Sequence, residues 1–353
     1  MNFLNLCANK PVALVCLLAC AAQAQSLATV EVVGRADALT QASMESAQAR
    51  VNTIPGGASI VDLNQAREGR QSTWSDSLGL APGVYIQDRF GSEEARISIR
   101  GSALSRTYHS FGTKVMQDGV PINYADGFFD MQTVDPNASR YVEVLRGPNA
   151  TTYGATTLGG AINFVAPTGY SNPGSLARTE VGSFGYNKVF GSAAGVAKAD
   201  ADASRGNVWD YYVAGSQTKQ DGFRDHAGME NQKILSNFGV KVSQDIESRF
   251  YVAAVRSRTQ LPGYLTEAEL EKDPSIAASN LSTVTATPTA AGSSVAGVYA
   301  YRVDANRRRD VDAQRVANKT TVRDGNTVYE MAAYAMNYSL WHPIDSIVEQ
   351  NAK

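Results

Sequence analysis

The side chains in this sequence best placed to do chemistry are arginines rather than nucleophiles or metal ligands. Arg100 and Arg146 each follow a β-like run, so their guanidinium groups should end inside a domain or at its rim. A buried guanidinium needs carboxylate partners, because its desolvation cost is otherwise severe. Arg106, Tyr108 and His109 lie together in the loop from Ser102 to Gly112, offering a cation, a stacking face and a titratable donor to a ligand. A lone loop histidine is more often a solvated surface residue than a ligand contact. Arg302, Arg307, Arg308 and Arg309 fall on a long loop expected from about Arg258 to Arg323, where they could attract an anion or simply face water. With 3 His and 3 Cys there is little metal-ligand chemistry, and no metal site is assigned. No Gly-Lys-Ser phosphate loop, Gly-x-Ser-x-Gly or His-Glu-x-x-His occurs, so no catalytic residue is assigned and an enzyme is not expected.

Those groups need elements to hold them. The chain has 353 residues, and 32 basic against 34 acidic residues give a net charge of -2, which argues against nucleic acid as a partner. Lys10, the apolar run Val12 to Ala22 and Ala22-Gln23-Ala24 read as a signal peptide over residues 1–24. Leu17-Leu18-Ala19-Cys20 leaves open a lipid-anchor alternative at Cys20. All three cysteines lie inside this segment, so cleavage after Ala24 leaves a mature chain without thiols. Residues 25–57 are polar and Ala-rich except for Thr29-Val30-Glu31-Val32-Val33. Residues 58–167, more broadly 45–167, alternate short β runs with turns and a helix capped by Ser72 or Thr73, as expected of a mixed α+β domain.

After Pro167 the pattern changes to period-two alternation. Phe238, Val240 and Val242 share one face, with Asn237, Gly239, Lys241 and Ser243 on the other. Tyr334, Met336, Tyr338 and Leu340 share a face in the same way. About six such segments lie between residue 168 and residue 353, compatible with antiparallel transmembrane strands or with a soluble sandwich. The export signal and the long loop favour the membrane. Tyr211 and Tyr212, Phe250 and Tyr251, and Tyr338 with Trp341 sit near strand ends, where an interfacial girdle is expected.

Several turn-rich motifs then occur in series. They are Leu78-Gly79-Leu80-Ala81-Pro82-Gly83-Val84, Ile97-Ser98-Ile99-Arg100-Gly101, Asp118-Gly119-Val120-Pro121, Val142-Glu143-Val144-Leu145-Arg146-Gly147-Pro148, Tyr153-Gly154 and Gly159-Gly160-Ala161-Ile162-Asn163. Each alone is ordinary turn chemistry. In this order and spacing they resemble the plug domain of TonB-dependent outer-membrane receptors, over about residues 28–165. Gly182-Ser183-Phe184-Gly185 resembles the first hairpin turn of such a barrel, and Leu261-Pro262-Gly263 with Leu265-Thr266 an early extracellular loop.

The resemblance implies an α+β plug followed by antiparallel strands of a large β-barrel, here incomplete. It implies uptake of a bulky scarce nutrient, most often a ferric siderophore, with cobalamin, haem or a saccharide as alternatives. Iron would enter only as part of a transported chelate, and no resident cofactor is expected. Thr29-Val30-Glu31-Val32-Val33 resembles the coupling box that a periplasmic TonB-type transducer captures by strand addition. Ala28 stands where an acidic residue is usual. Few residues separate Gln25 from this box, which favours transport over transcriptional signalling. Arg100 and Arg146 match the arginines that seat the plug against barrel-wall glutamates, and Arg106, Tyr108 and His109 fall at the ligand-facing apex. The partners implied are the transducer, outer-membrane lipid and a small-molecule chelate. A plug of this size needs a barrel of about 22 strands, and the polar ending Gln350-Asn351-Ala352-Lys353 lacks an aromatic tip, so a truncated or decayed form is expected.

Overall fold

A computed structural model describes residues 38–66, 69–79, 81–89, 94–102, 111–198, 208–278, 307–343 and 349–352. Helix α1 (Met44–Asn52) starts at Ser43, whose hydroxyl accepts the Ser46 amide at 3.1 Å. Glu45 in its first turn and Arg50 in its last suit the helix dipole. Its buried Ala47 packs against Tyr141 and Val165. Strand β1 (Ala58–Asp62) and the short α2 (Leu63–Ala66) lead to α3 (Trp74–Leu78). Of the two expected caps Thr73 is the one used. Its hydroxyl accepts the Asp76 amide while the Asp76 carboxylate accepts the Thr73 amide at 2.8 Å, a reciprocal cap.

Beyond Gly83 (φ +72°) a hairpin of β2 (Val84–Arg89) and β3 (Glu94–Ile99) forms. Strands β4 (Thr113–Gln117), β5 (Val120–Pro121), β6 (Tyr141–Arg146) and β7 (Gly160–Val165) follow. The domain's main sheet has the order β1-β6-β7-β4-β5, with β4 and β7 parallel and the other pairs antiparallel. β6 and β7 are buried on both faces, and the polar residues that interrupt their apolar runs, Glu143 and Asn163, bond to each other, with Asn163 Nδ2 donating to Glu143 Oε2 at 3.0 Å. The core joins Trp74, Leu78, Ile97, Val115, Val144 and Phe164, with Trp74 edge-on to Phe164 at 5.4 Å.

From residue 174 the chain makes a second sheet of eight consecutive antiparallel strands. They are β8 (Gly174–Val181), β9 (Asn187–Lys198), β10 (Val208–Gln220), β11 (Met229–Lys241), β12 (Ile246–Gln260), β13 (Arg308–Asp324), β14 (Thr327–Pro343) and β15 (Glu349–Ala352). The sheet is open: β8 and β15 are its two ends. The first turn is where the resemblance put it, with Phe184 (φ +58°) and Gly185 (φ +70°) reversing the chain between β8 and β9. Strands of 12–17 residues, as in β9 to β14, exceed the about 9–11 that a tilted strand needs to cross a bilayer. No helix among the described residues is long and apolar enough to cross a membrane, which says nothing of strands.

Two expectations are corrected. The loop expected to end at about Arg323 ends at the start of β13, so Arg308 and Arg309 belong to a strand and Arg309 is buried. Helix α4 (Glu267–Lys272), capped by Thr266, lies in the preceding connection. The aromatic pairs also split by face. Tyr211, Phe250 and Trp341 are outward, whereas Tyr212 and Tyr251 are buried inward, against the plug side of the wall. Tyr334, Met336, Tyr338 and Leu340 do share a face, and it is the inner one: they stand opposite Ala317, Arg315, Ala313 and Val311.

Candidate functional site: the plug and its wall

The inward face of the second sheet is basic, and its cations reach the plug. Alternation alone decides this. In β13 the inward positions include Arg309, Arg315 and Lys319, which the strand's period of two lines up on one side. Arg309 Nη2 donates to Asp130 Oδ2 at 2.7 Å and Nη1 to Gln132 Oε1 at 2.6 Å, while Tyr338 Oη donates to the same Asp130 oxygen at 2.9 Å. Arg315 donates to Gln117 Oε1 and to the Val120 carbonyl, both at 3.1 Å. Lys233 Nζ donates to the Val134 carbonyl at 2.8 Å, and Lys188 Nζ to the Gln71 carbonyl at 3.3 Å. Between those two lysines lies Asp135, which accepts from Ser216 Oγ at 2.6 Å. Burial alone raises the Asp135 carboxyl. The ammonium groups of Lys188 and Lys233, with bonds from Ser216 and Asn137, overrule it and hold the acid well below the usual carboxylate range.

The densest cluster is built on β10, β11 and β12. Arg249 and Glu247 are fully enclosed and Asp210 nearly so, with side-chain exposures of 0%, 0% and 1%. The Arg249 guanidinium is bidentate on Asp210, at 2.6 and 3.0 Å, and also donates to Glu247 at 2.8 Å and Asn237 at 2.6 Å. Gly239 is what makes room: a Cβ there would overlap the Arg249 guanidinium and Asp210 Oδ1. Two carboxylates against one guanidinium leave acceptor capacity, and the chain that leads into the plug fills it. The Leu39 amide donates to Glu247 Oε2 at 2.5 Å and Thr40 Oγ1 to Glu247 Oε1 at 2.7 Å. Thr40 Oγ1 in turn accepts from Arg249 Nε at 3.0 Å, and Lys319 Nζ donates to the Thr40 carbonyl at 3.1 Å. Residues 38–41 are thus latched to the wall.

Beside the latch Asp118 (φ +56°) sits at the β4–β5 turn, its Oδ1 accepting from Gln41 at 2.7 Å and from the Ala166 amide at 2.9 Å. Burial pushes its carboxyl up to about 6, only partly offset by Arg249, Lys319 and Arg315 nearby. A polar cavity of about 800 Å³ opens between the latch, this turn and β13–β14, lined among others by Asp118, Glu143, Lys319 and Glu330. Toward the other end of the plug, rings of Phe111, Phe128, Tyr124 and Tyr338 form a ladder with centroid steps of 6.4, 5.6 and 4.6 Å.

Thr29 to Val33, Arg106, Tyr108 and His109 lie outside the described residues. Arg100 (φ +53°) is exposed at the turn after β3, and Arg146 half-buried at the end of β6. They come together over Gly57, where a Cβ would meet Arg146 Nε at 3.3 Å and Arg100 Nη2 at 3.5 Å. Their hydrogen bonds stay within the plug. Arg146 donates to the Pro82 carbonyl at 2.7 Å and to Ser59 Oγ at 3.0 Å, and Arg100 to the Gly56 carbonyl at 3.4 Å. Of the wall cations the sequence singled out only Arg309, as a loop residue; Lys188, Lys233, Arg249, Arg315 and Lys319 were not singled out.

A plug-like α+β domain held by the polar face of a long-stranded antiparallel sheet finds its match in the family comparison. Residues 50–161 match the model of the TonB-dependent Receptor Plug Domain. The matched residues are those of the α+β domain described above, and the chain as a whole is similar in fold to a plug with part of a barrel. It is 25% identical over 131 residues to the vitamin B12 transporter BtuB of Vibrio vulnificus (strain CMCP6), covering 37% of this chain and 21% of that protein. It is 32% identical over 116 residues to the pesticin receptor of Yersinia pestis, covering 30% and 16%. In fold it is similar to the unliganded ferric citrate transporter FecA, with a TM-score of 0.60 at 15% identity, over 84% of this chain and 42% of that one. The ferric yersiniabactin uptake receptor FyuA from Yersinia pestis gives 0.55 at 17% identity, over 82% and 42%. The chain therefore spans about two-fifths of these receptor structures and a smaller share of the curated relatives. Those relatives are named as transporters and receptors, not enzymes.

Proposed function

We propose that this chain forms the plug and first wall strands of an outer-membrane receptor that takes up a bulky chelate, a ferric siderophore, by coupling to a periplasmic TonB-type transducer. The observation that carries the reading is the latch: residues 38–41 are bonded both to the wall, through Glu247, Arg249 and Lys319, and to the plug, through Asp118. That segment follows Thr29 to Val33 after only a few residues, so a pull on an added strand there would load these bonds first. The chelate would enter past the aromatic ladder, whose Phe111 adjoins the loop carrying Arg106, Tyr108 and His109. Arg100 and Arg146, side by side on the plug surface, are the proposed seats for wall glutamates. The 25% identity to a vitamin B12 transporter supports a second reading, in which the cargo is a corrinoid. Cross-linking from a photoreactive side chain at position 32 tests the coupling. An adduct with the transducer in energised cells is expected, and no adduct at 32 or at its neighbours would overturn it. Competition of radio-iron chelate uptake by excess cobalamin separates the two cargos.

A further inference from the structure

The outward face of the wall changes character along its strands. One stretch is apolar, with Trp209, Tyr211, Phe238, Phe250 and Val252 exposed. Towards the end from which the β12–β13 connection emerges, the outward positions become Glu230, Arg256, Arg258, Asp310 and Asp312. Long connections mark the extracellular side of such barrels, so this polar end faces outward from the cell, on the outer-membrane reading above. The charges there are mostly spent. Both oxygens of Asp312 accept from Arg258 Nη2, at 2.9 and 2.7 Å, and Asp310 accepts from Arg308 Nε at 2.7 Å. Arg256 stands opposite Asp312 in register, yet it is exposed and has no hydrogen-bond or ion-pair partner among the described residues.

Arg256 overhangs a groove of about 380 Å³ in the outward face. Gly215, Ile234, Ala254 and Gln314 lie side by side across four strands and give the groove its floor, two of the four being nearly without side chains. One step along the strands, Gln232 lies beside Arg256. The groove therefore has an apolar floor towards the lipid-facing band and, on its outer rim, a guanidinium standing between Gln232 on one neighbouring strand and Asp312 on the other.

We infer that this groove binds a phosphorylated acyl lipid of the outer leaflet, its phosphate on Arg256 and an acyl chain along Gly215, Ile234 and Ala254. The charge argues for an anionic headgroup: four cations, Lys219, Arg256, Arg258 and Arg308, face three carboxylates, Glu230, Asp310 and Asp312, and of these cations Arg256, over the groove, is the one without a partner among the described residues. A guanidinium matches a phosphate with paired donors, and Gln314 adds an amide donor beside it, whereas Gln232 Nε2 already donates to Glu230 Oε1 at 3.3 Å. The position suits the ligand, since the apolar floor joins the hydrocarbon-facing surface and the long Arg256 side chain reaches outward to headgroup level.

The test uses the receptor extracted from outer membranes in neutral detergent, with lipid A, dephosphorylated lipid A and phosphatidylethanolamine as probes in native mass spectrometry. Wild type should retain lipid A, and Arg256→Gln should weaken retention about tenfold, as for a lost charged hydrogen bond. Arg256→Lys should recover part of it. Removing the phosphates should cost wild type the same factor and cost Arg256→Gln nothing more. Equal retention by wild type and Arg256→Gln overturns the proposal, as does equal retention of the dephosphorylated lipid by wild type. A receptor dimer that Arg256→Gln dissolves also overturns it, by giving the groove to a second copy. Unchanged heat-modifiability of Arg256→Gln controls for folding. Recovery of the receptor in the outer-membrane fraction tests the localisation reading separately.

Discussion

Thr40→Val should release the segment that links the proposed coupling box to the plug. The substitution keeps the shape of a side chain in a residue only 2% exposed, and removes one hydroxyl. That hydroxyl donates to Glu247 at 2.7 Å and accepts from Arg249 at 3.0 Å. Bonds to charged groups are worth about 1.5–3 kcal/mol each, and the Glu247 oxygen keeps its Arg249 donors, so a net loss of about 2–3 kcal/mol is expected. The main-chain bonds from Leu39 to Glu247 and from Lys319 to the Thr40 carbonyl survive, which holds the loss below the cost of breaking the buried pair itself. A local opening equilibrium shifted by that amount changes about 30- to 150-fold. Amide hydrogen exchange over residues 38–43, measured by mass spectrometry on receptor in outer-membrane vesicles, reads it directly. Amides of β6 and β7 should keep their protection, and Thr40→Ser should behave nearly as wild type. A change of less than about threefold, or equal acceleration in β6 and β7, would refute the latch.

Gly239→Ala drives a methyl into the Arg249–Asp210 contact, and separating that buried pair should cost about 3–5 kcal/mol, seen as a lower unfolding temperature of the receptor in detergent. Asp118 gives a pH dependence whose sign is fixed. Its folded value of about 6 lies above the ordinary 3.8, so the folded protein holds this proton more tightly than the unfolded chain. Its contribution is fully present below about pH 4 and is lost as pH rises through about 6, a span of about 3 kcal/mol. Asp118→Asn should flatten that part of the melting profile, and an unchanged slope would count against it. Val32→Pro removes a main-chain donor and fixes φ where an added strand must form, so uptake should stop while ligand binding at the cell surface persists.

Much of the α+β domain was legible because its strands are punctuated by turn residues and the central pair, β6 and β7, is buried on both faces: the runs at Ala58, Val84, Lys114, Tyr141 and Ala161 all became strands. Arg100 fell one residue beyond its strand, in a left-handed turn that only its neighbour Gly101 hints at. The wall was harder to read. β13 is polar on both faces, with Arg309, Arg315 and Lys319 inward and Asp310, Asp312 and Gln314 outward, so it carries little apolar alternation and its sequence reads as loop. The cause is physical: its inner face meets a polar plug rather than an apolar core, and its outer end projects beyond the apolar band. Tyr212 and Tyr251 misled for the same reason, since an inward aromatic packing on a plug has the same spacing as one in a membrane girdle.

Uptake of a radio-iron chelate panel under iron limitation tests the account most directly, in cells that express or lack the receptor and with or without a protonophore. The account predicts receptor-dependent accumulation of at least one chelate that collapses when the proton gradient is dissipated and in Val32→Pro. Accumulation that persists without the gradient, or no receptor-dependent uptake of any chelate or of cobalamin, would contradict it.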